Sequence, residues 1–134
     1  MKTIQNKAKK KSKKASFLSS LYRGYVHIRS TYNNTLITLT DTNGATLAWC
    51  SAGKCGFKGT RKSTPFAAQT VGEQIGQYCR AKQIRQVDVL LQGPGNGREA
   101  ALRGISVRGV RIRLIRDLTC VPHNGCRAPL ERTC

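Results

Sequence analysis

Acidic residues are scarce in this sequence, and none precedes Asp41. The chain carries 24 Lys and Arg residues against 6 Asp and Glu residues, which gives a formal net charge of +18 at pH 7. Such an excess of positive charge opposes compaction unless a polyanion neutralises it. Nucleic acid is the natural polyanion, because each phosphate contact releases counterions. An anionic membrane surface is the competing interpretation.

Long apolar runs are missing as well. No run reaches the roughly 18 residues expected of a transmembrane helix, and no secretory signal is visible. We therefore predict no membrane partner. Without an export signal, reduced thiols in an intracellular compartment are favoured over a secreted disulfide framework. The six cysteines are Cys50, Cys55, Cys79, Cys120, Cys126 and Cys134.

The chain of 134 residues is long enough for one domain with tails. Residues 1–22 are predicted to form a basic arm and lead-in, 23–118 a single α/β domain, and 119–134 an extended tail. Seven lysines and almost no apolar residues occur in 1–16, which is typical of a disordered segment that becomes ordered on RNA. A solubilising or targeting tail is the alternative.

Four short segments have the alternation or β-branched content of strands. The first three, near 25–29, 35–40 and 46–51, are joined by tight turns, the second of them at Asn43-Gly44, and predict an antiparallel meander. Residues 87–91 are apolar throughout and predict a buried strand. A further strand is predicted over 110–116, and it alternates cleanly. Val110, Ile112 and Leu114 lie on one face, and Arg111, Arg113 and Ile115 on the other.

Two helices are predicted between these strands. The first covers 65–81, with an apolar stripe, and the second runs from about Gly97 to Arg108. Asn96 and Glu99 form a capping-box pattern, and Gly109 is expected to end the second helix. The order βββαβαβ predicts a mixed sheet with parallel crossovers and helices packed on it. The stripe consists of Val71, Ile75, Tyr78 and Cys79.

The segment Gly53–Gln69 begins as a glycine-rich basic loop and ends as the first helix. Ser63 or Thr64 can cap this helix, and Pro65 suits its first position. Free N–H groups at a helix N-terminus attract anions, so the segment suits phosphate. It lacks the Gly-Lys-Ser/Thr signature of a nucleotide-hydrolysis loop. Its cations are Lys54, Lys58, Arg61 and Lys62.

Four segments together resemble the small-subunit ribosomal protein eleven family, over about Gly24 to Pro129. The resemblance implies an RNase H-like α/β fold and binding to small-subunit rRNA in the platform, near the mRNA exit path. It implies small-subunit ribosomal proteins seven, eighteen and, in bacteria, twenty-one as neighbours, and a structural role without a cofactor. The segments are Tyr32–Thr35, Gly56–Gln69, Gly93–Glu99 and Pro122–Arg127.

Two departures from the family pattern bear on the expectations. The family usually has a basic run after its Cys-Arg-Pro-Pro, whereas residues 128–134 read Ala-Pro-Leu-Glu-Arg-Thr-Cys, so we expect no RNA contact beyond Arg127. The many cysteines are unusual for bacterial members. Both features indicate an organellar ribosome, for which we predict the mitochondrion, with the plastid or the bacterial cytoplasm as alternatives.

The predicted RNA contacts combine cations, which neutralise phosphate, with asparagine side chains, which can bond sugars or base edges. Four further arginines, Arg103, Arg108, Arg111 and Arg113, are expected to contact RNA or solvent. A general nucleic-acid binder outside the ribosome is the non-enzymatic rival. The predicted set is Asn33, Asn34, Lys54, Lys58, Arg61, Lys62, Arg98, His123, Asn124 and Arg127.

Two other functional classes are weighed against this one. A nuclease would need several converging carboxylates to hold two metals, and the six acids are scattered along the chain, so we predict no enzyme. Cys120, His123 and Cys126 are spaced three apart, and such ligands suit zinc. Paired Cys-x-x-Cys knuckles are absent, however, so buried or reactive thiols are favoured and no metal is predicted.

Asn124 is followed by Gly125, which leaves the next backbone nitrogen unhindered. We hypothesise that this nitrogen attacks the Asn124 side chain and that the resulting succinimide hydrolyses to isoaspartate. An ordinary Asn-Gly turn is the alternative. The same dipeptide at Asn43-Gly44 is expected to be protected by its hairpin.

Overall fold

The computed structural model describes residues 23–131, so the predicted basic arm and the last three residues lie outside the described part. The elements follow the predicted βββαβαβ order. A short 3₁₀ helix, Gly59–Ser63, precedes the first α-helix. The strands are β1 (Arg23–Ser30), β2 (Thr35–Thr40), β3 (Thr46–Ser51), β4 (Gln86–Gln92) and β5 (Arg111–Asp117), and the helices are α1 (Pro65–Ala81) and α2 (Arg98–Val107).

The strands form one mixed sheet in the order β3-β2-β1-β4-β5. The β1–β2 and β2–β3 pairs are antiparallel, and the β1–β4 and β4–β5 pairs are parallel. The expected meander and parallel crossovers are therefore confirmed. The β2–β3 turn is closed by Asp41 N–H donating to Ala45 O at 2.9 Å, and Gly44 takes a φ of +85°. This is the three-residue hairpin loop that needs a left-handed residue at its end.

The core lies between one face of the sheet and the two helices. Alternate residues of β1 and β2 supply the sheet side, for example Val26 opposite Leu39 and Ile28 opposite Ile37. The predicted stripe of α1 supplies Val71, Ile75 and Cys79, all fully buried. Tyr78 departs from the prediction, because its side chain is 40% exposed at the margin of this stripe.

The helices pack backbone against backbone through glycines. A Cβ at Gly72 would lie 2.3 Å from Ala101 O, and a Cβ at Gly104 would lie 2.3 Å from Gln69 O. Neither position has room for a side chain, so these glycines set how closely α1 and α2 approach.

The predicted capping box of the second helix is wrong. The helix starts at Arg98 after Gly97, and no side chain caps it. The reason is a contact distant in sequence. A Cβ at Gly97 would lie 2.3 Å from Thr35 Oγ1, so the residue before the helix packs against β2 and has no room for a capping side chain. Gly109 does end the helix as predicted, with a φ of +75°.

The last strand also differs from its prediction. It starts at Arg111, and its register against β4 shifts between Val87 and Asp88. Val110 is 4% exposed and Ile112 packs against the core, but Leu114, predicted on the same face, is 37% exposed. The reason is that β5 is an edge strand of the sheet and this shift breaks its alternation. Within residues 23–131, neither helix has the length and apolar content needed to cross a membrane.

Candidate nucleic-acid interface

Four of the five strands end at the same edge of the sheet. β4 and β5 run parallel to β1, and β3 runs antiparallel to β2 and therefore in the direction of β1. The segments that leave this edge are 31–34, 52–64, 93–97 and the tail from 118. We call this side of the molecule the carboxyl edge. In α/β folds it is the usual place for a ligand.

All ten sequence-predicted RNA residues belong to segments that start at the carboxyl edge. Asn33 and Asn34 lie in the β1–β2 turn, and the four cations of the basic loop follow β3. Arg98 begins the helix that follows β4. His123, Asn124 and Arg127 lie in the tail that follows β5, which has no helix or strand up to residue 131.

The β1–β2 turn is ordered by its own side chains. Thr31 N–H donates to Asn34 O at 2.9 Å, and Asn34 N–H donates to Thr31 Oγ1 at 3.1 Å. Asn34 Oδ1 accepts from Thr35 N–H at 2.9 Å, so this oxygen serves the turn. Asn33 is exposed, and its neighbour Tyr32 is 73% exposed. The turn therefore presents an amide and an aromatic ring outward.

The glycine-rich loop after β4 packs directly on the end of β1. Gly95 N–H donates to Ser30 O at 3.1 Å, and a Cβ at Gly93 would lie 2.1 Å from the same oxygen. Gly93 also has a φ of +95°, which favours glycine. These glycines therefore bring two segments of the carboxyl edge into contact.

The basic loop has two ordered parts. A tight turn is closed by Cys55 N–H to Ser51 O and Phe57 N–H to Ala52 O, both at 3.1 Å. The 3₁₀ helix follows, and Thr64 then caps α1 by accepting from Ala67 N–H at 3.3 Å. Thr64, not Ser63, is therefore the cap. Pro65 occupies the first turn of α1, as predicted.

The cations of the basic loop have no acidic partner among residues 23–131. Lys58 and Arg61 are exposed, and Lys62 is half-buried. Lys54 Nζ lies 4.3 Å from the centroid of the Trp49 ring and donates to Trp49 O at 3.1 Å. Arginines behave differently: Arg98 of the predicted RNA set, and three of the four further arginines, each pair with an acid. These three are Arg103, Arg108 and Arg113, whereas the exposed Arg111 makes no ion pair within residues 23–131.

The Arg98 side chain forms hydrogen bonds with other residues of the carboxyl edge. Its guanidinium donates to Asp117 and to Gly93 O, the latter at 3.3 Å. Asp117 also accepts from Thr119 N–H at 2.9 Å and from Thr119 Oγ1 at 2.6 Å. The Thr119 hydrogen bonds, with Arg98 adding to them, lower the pKa of Asp117 to about 2. The charge of Arg98 is thus partly neutralised.

The tail starts from two fixed points on the carboxyl edge. Leu118 N–H donates to Leu91 O at 2.8 Å, and Gly93 N–H donates to Thr119 Oγ1 at 3.2 Å. His123, Asn124 and Arg127 are exposed beyond them. Asn124 and Gly125 have φ values of +70° and +48°, which form the predicted turn.

Two of the acids that a nuclease could use to hold a metal are paired with arginines. Asp88, which is 2% exposed, receives two hydrogen bonds from Arg113 at 2.8 and 2.7 Å. Glu73 accepts from Arg108 at 2.9 Å. Over the described residues, no three His, Cys, Asp or Glu side chains gather as metal ligands. The spacing of Cys120, His123 and Cys126 therefore does not correspond to a cluster in residues 23–131.

Sequence reasoning missed the aromatic residues of this surface. Tyr32 is 73% exposed and Phe66 is 70% exposed, and the Phe66 ring meets Phe57 edge-to-face at 6.0 Å. Exposed rings beside cations are the usual platform on which unpaired bases stack. A signal was present, because both rings lie inside segments that carry the family resemblance.

Comparison with known proteins gives two agreeing results. The profile of the family described as ribosomal protein S11 matches residues 24–133. The Small ribosomal subunit protein uS11c of Nephroselmis olivacea is 54% identical over 110 residues, which cover 82% of this chain and 85% of that protein. The match spans the whole sheet and all segments of the carboxyl edge.

Proposed function

Because the chain belongs to the ribosomal protein S11 family and is thus a structural constituent of the small ribosomal subunit, we propose that it binds small-subunit rRNA. The site is the carboxyl edge, in the platform near the mRNA exit path, and the binding supports assembly and translation. The observation that carries this proposal is the set of unpaired cations on the basic loop. Their charge has no acidic partner within residues 23–131.

The proposed roles follow from chemistry and exposure. Lys58, Arg61 and Lys62 contact phosphates, because they present charge on an ordered backbone beside a helix N-terminus. Lys54 and Arg98 add positive potential while keeping their internal contacts. Sugars and base edges are contacted by side chains of the turn and tail. These are Asn33, Asn34, His123, Asn124 and Arg127.

Exposed rings extend this proposal to unpaired bases. Tyr32 and Phe66 stand at the carboxyl edge, and stacking on an aromatic ring is worth roughly 1–3 kcal/mol per base. The basic loop also has an open depression of about 350 Å³, which is lined by Cys55, Gly56, Phe57, Lys58 and Arg61. It offers an apolar wall and two cations to a single nucleotide.

The first test removes charge from the basic loop. The double variant Arg61→Ala, Lys62→Ala is expected to bind platform rRNA more weakly and with a smaller salt dependence. Each lost phosphate contact should lower the slope of log K against log salt by about 0.9 on a duplex or 0.7 on a single strand. Affinity measured at four or more salt concentrations gives both quantities.

A matched control is available at the opposite end of the sheet. Lys82 and Arg85 lie between α1 and β4, and Lys82→Ala, Arg85→Ala removes the same charge away from the carboxyl edge. This control should keep the wild-type slope. If both double variants lower the slope equally, binding depends on overall charge, and the basic loop is not a specific site of RNA contact.

The same proposal includes protein neighbours. Small-subunit ribosomal proteins seven, eighteen and, in a ribosome of bacterial type, twenty-one are expected next to this chain, with mRNA nearby. Lysine-directed cross-linking of intact subunits, followed by mass spectrometry, tests this expectation. Cross-links to proteins of the opposite end of the small subunit alone would contradict a platform position.

For the compartment we propose the plastid ribosome. The relative uS11c is a plastid form, so the mitochondrial prediction gains no support from it, and the plastid alternative fits better. Ribosomal location itself follows from the family. The departures in the tail and in cysteine content are compatible with either organelle.

A further inference from the structure

The thiols of Cys50 and Cys55 meet at the base of the basic loop. Their Sγ atoms are 3.3 Å apart, and both cysteines are free in this structure. A disulfide bond is about 2.0 Å long, so the two sulfurs need to approach by roughly 1.3 Å. The other described cysteines, Cys79, Cys120 and Cys126, are also free.

The two thiols differ in access. Cys50 is 3% exposed and lies in the core, opposite Ile37 in the sheet register. Cys55 is half-buried and lines the open depression beside Gly56 and Phe57. A small reagent can therefore reach the Cys55 thiol from solvent, whereas the Cys50 thiol is buried. This is the arrangement of a thiol that reacts first with the oxidant and a resolving thiol that then displaces the bound group.

The turn that joins them can absorb the movement. Gly53 and Gly56 flank Cys55 on either side, both are exposed, and Gly56 has a φ of +91° with no atom near a would-be Cβ. The core end of the pair is held by β3, so the exposed turn supplies most of the shift.

We propose that Cys50 and Cys55 form a reversible disulfide, a modification site that locks the turn carrying Lys54. The oxidant is a small disulfide of the glutathione class. The Cys55 thiol first loses its proton to solvent, and this form is a minor population because burial and the hydrogen bond with Cys50 raise the pKa of Cys55 to about 12. The thiolate attacks one glutathione sulfur, forms a mixed disulfide and releases the other half as a thiolate, which takes up a proton. The Cys50 thiolate then attacks Cys55 Sγ and expels the second glutathione as a thiol. Two electrons and two protons pass from the protein to glutathione.

The consequence falls on the basic loop. The new ring encloses residues 50–55, including Lys54, whose ammonium lies over Trp49. Oxidation therefore adds a covalent restraint to the backbone between β3 and the 3₁₀ helix, which the reduced form holds by hydrogen bonds without a covalent link. This inference goes beyond RNA binding and stands without it, since the bond forms within the free protein.

Peptide mapping tests the bond directly. Trypsin cuts after Lys54 and Lys58, which places Cys50 on peptide 30–54 and Cys55 on peptide 55–58. The full chain is equilibrated in glutathione buffers of increasing oxidised fraction, alkylated, denatured and digested without reduction. We expect peptides 30–54 and 55–58 to appear joined, in a proportion that rises with the oxidised fraction and vanishes after reduction.

The controls separate this pair from other thiol chemistry. Cys126→Ser removes an exposed tail thiol and should leave the linked peptides unchanged, whereas Cys55→Ala should abolish them. In the oxidised wild type, amides of residues 52–57 should exchange at least tenfold more slowly than in the reduced form. Peptide 55–58 found only alkylated, only joined to glutathione, or joined to tail peptide 117–127 would overturn the proposal. Failure of RNA binding in the loop variants would leave it untouched.

Discussion

At the scale of single residues, the arginines divide into two groups. Arg98, Arg108 and Arg113 reach acids that are distant in sequence, while the cations of the basic loop have no such partner within residues 23–131. A buried carboxylate such as Asp88 needs a partner, because an unpaired charge in the interior is costly. The acids therefore form ion pairs with arginines that composition alone would assign to RNA binding.

The Asp117 cluster predicts a pH dependence. Its pKa is lowered from 3.8 to about 2, first by Thr119 and then by Arg98. Since the charged form is favoured in the folded state, the stabilisation is present above the unfolded pKa. It is lost as the pH falls from about 4 through about 2. We expect an NMR titration of the Asp117 carboxyl group to give a midpoint near 2.

A variant in the same cluster tests the cause. Thr119→Val removes the hydroxyl that contributes most to the shift, so the pKa of Asp117 should rise towards its ordinary value. Arg98→Gln should raise it less. A midpoint near 3.8 in the wild-type protein would show that the cluster does not form in solution.

The Asn124-Gly125 dipeptide leads to a second prediction for a single residue, the formation of isoaspartate. Its neighbour Gly125 lies in an exposed turn, and among residues 23–131 the Gly125 N–H makes no hydrogen bond. Gly44 N–H, in the matching dipeptide, donates to Asp41 O at 3.0 Å. We therefore expect isoaspartate at 124 and none at 43 when aged protein is mapped by mass spectrometry. Unmodified Asn124 throughout, in free protein and in assembled subunits, would remove the hypothesis.

At the scale of elements, α1 sets the position of the basic loop. The helix starts at Pro65, directly after the loop and its Thr64 cap, and its packing on α2 depends on Gly72 and Gly104. Loosening that contact would shift the first turn of α1 and the cations before it. Stability and RNA affinity are thus coupled through one helix.

Gly72→Ala measures this contact. Alanine is the better helix former by about 1 kcal/mol, but its Cβ would lie 2.3 Å from Ala101 O. Overpacking of this kind costs about 1–3 kcal/mol, so we expect the free energy of unfolding in urea to fall. Gln77→Ala, at an exposed position of the same helix, should change it little. A more stable Gly72→Ala protein would show that the helices can move apart freely.

At the scale of the whole molecule, charge and architecture point to one partner. The net charge is +18, and four of the six acids, Glu73, Asp88, Glu99 and Asp117, are already paired with arginines. The uncompensated cations of the basic loop lie on the carboxyl edge. A polyanion at that edge would relieve the self-repulsion of the chain.

Sedimentation tests this at the level of the cell. In a sucrose gradient of extract, the chain should travel with the small ribosomal subunit at moderate and at high salt, because it is a constituent and not a loose associate. Fractionated organelles should place it with plastid ribosomes. A chain that stays with free protein at the top would contradict ribosomal assembly, and recovery with mitochondrial ribosomes would contradict the plastid proposal.

Most of the fold could be predicted from the sequence, because its signals are local. Alternation, β-branched residues, the Asn43-Gly44 turn and the periodicity of α1 act over a few residues, and β2, β3 and α1 have the predicted bounds. The predicted capping box and the clean alternation predicted for β5 were wrong. In both places a contact distant in sequence, Gly97 with Thr35 and the register shift against β4, overrides the local pattern.

The candidate site divides in the same way. The sequence by itself determined which segments carry the cations, glycines and asparagines, and the family to which they belong. Only the tertiary structure decided that these segments share one edge, that Arg98 is bound to Asp117, and that the sulfurs of Cys50 and Cys55 meet. The physical reason is that secondary structure follows from neighbours along the chain. Charge compensation and thiol pairing depend on which distant residues the packed sheet and helices bring within a few ångströms.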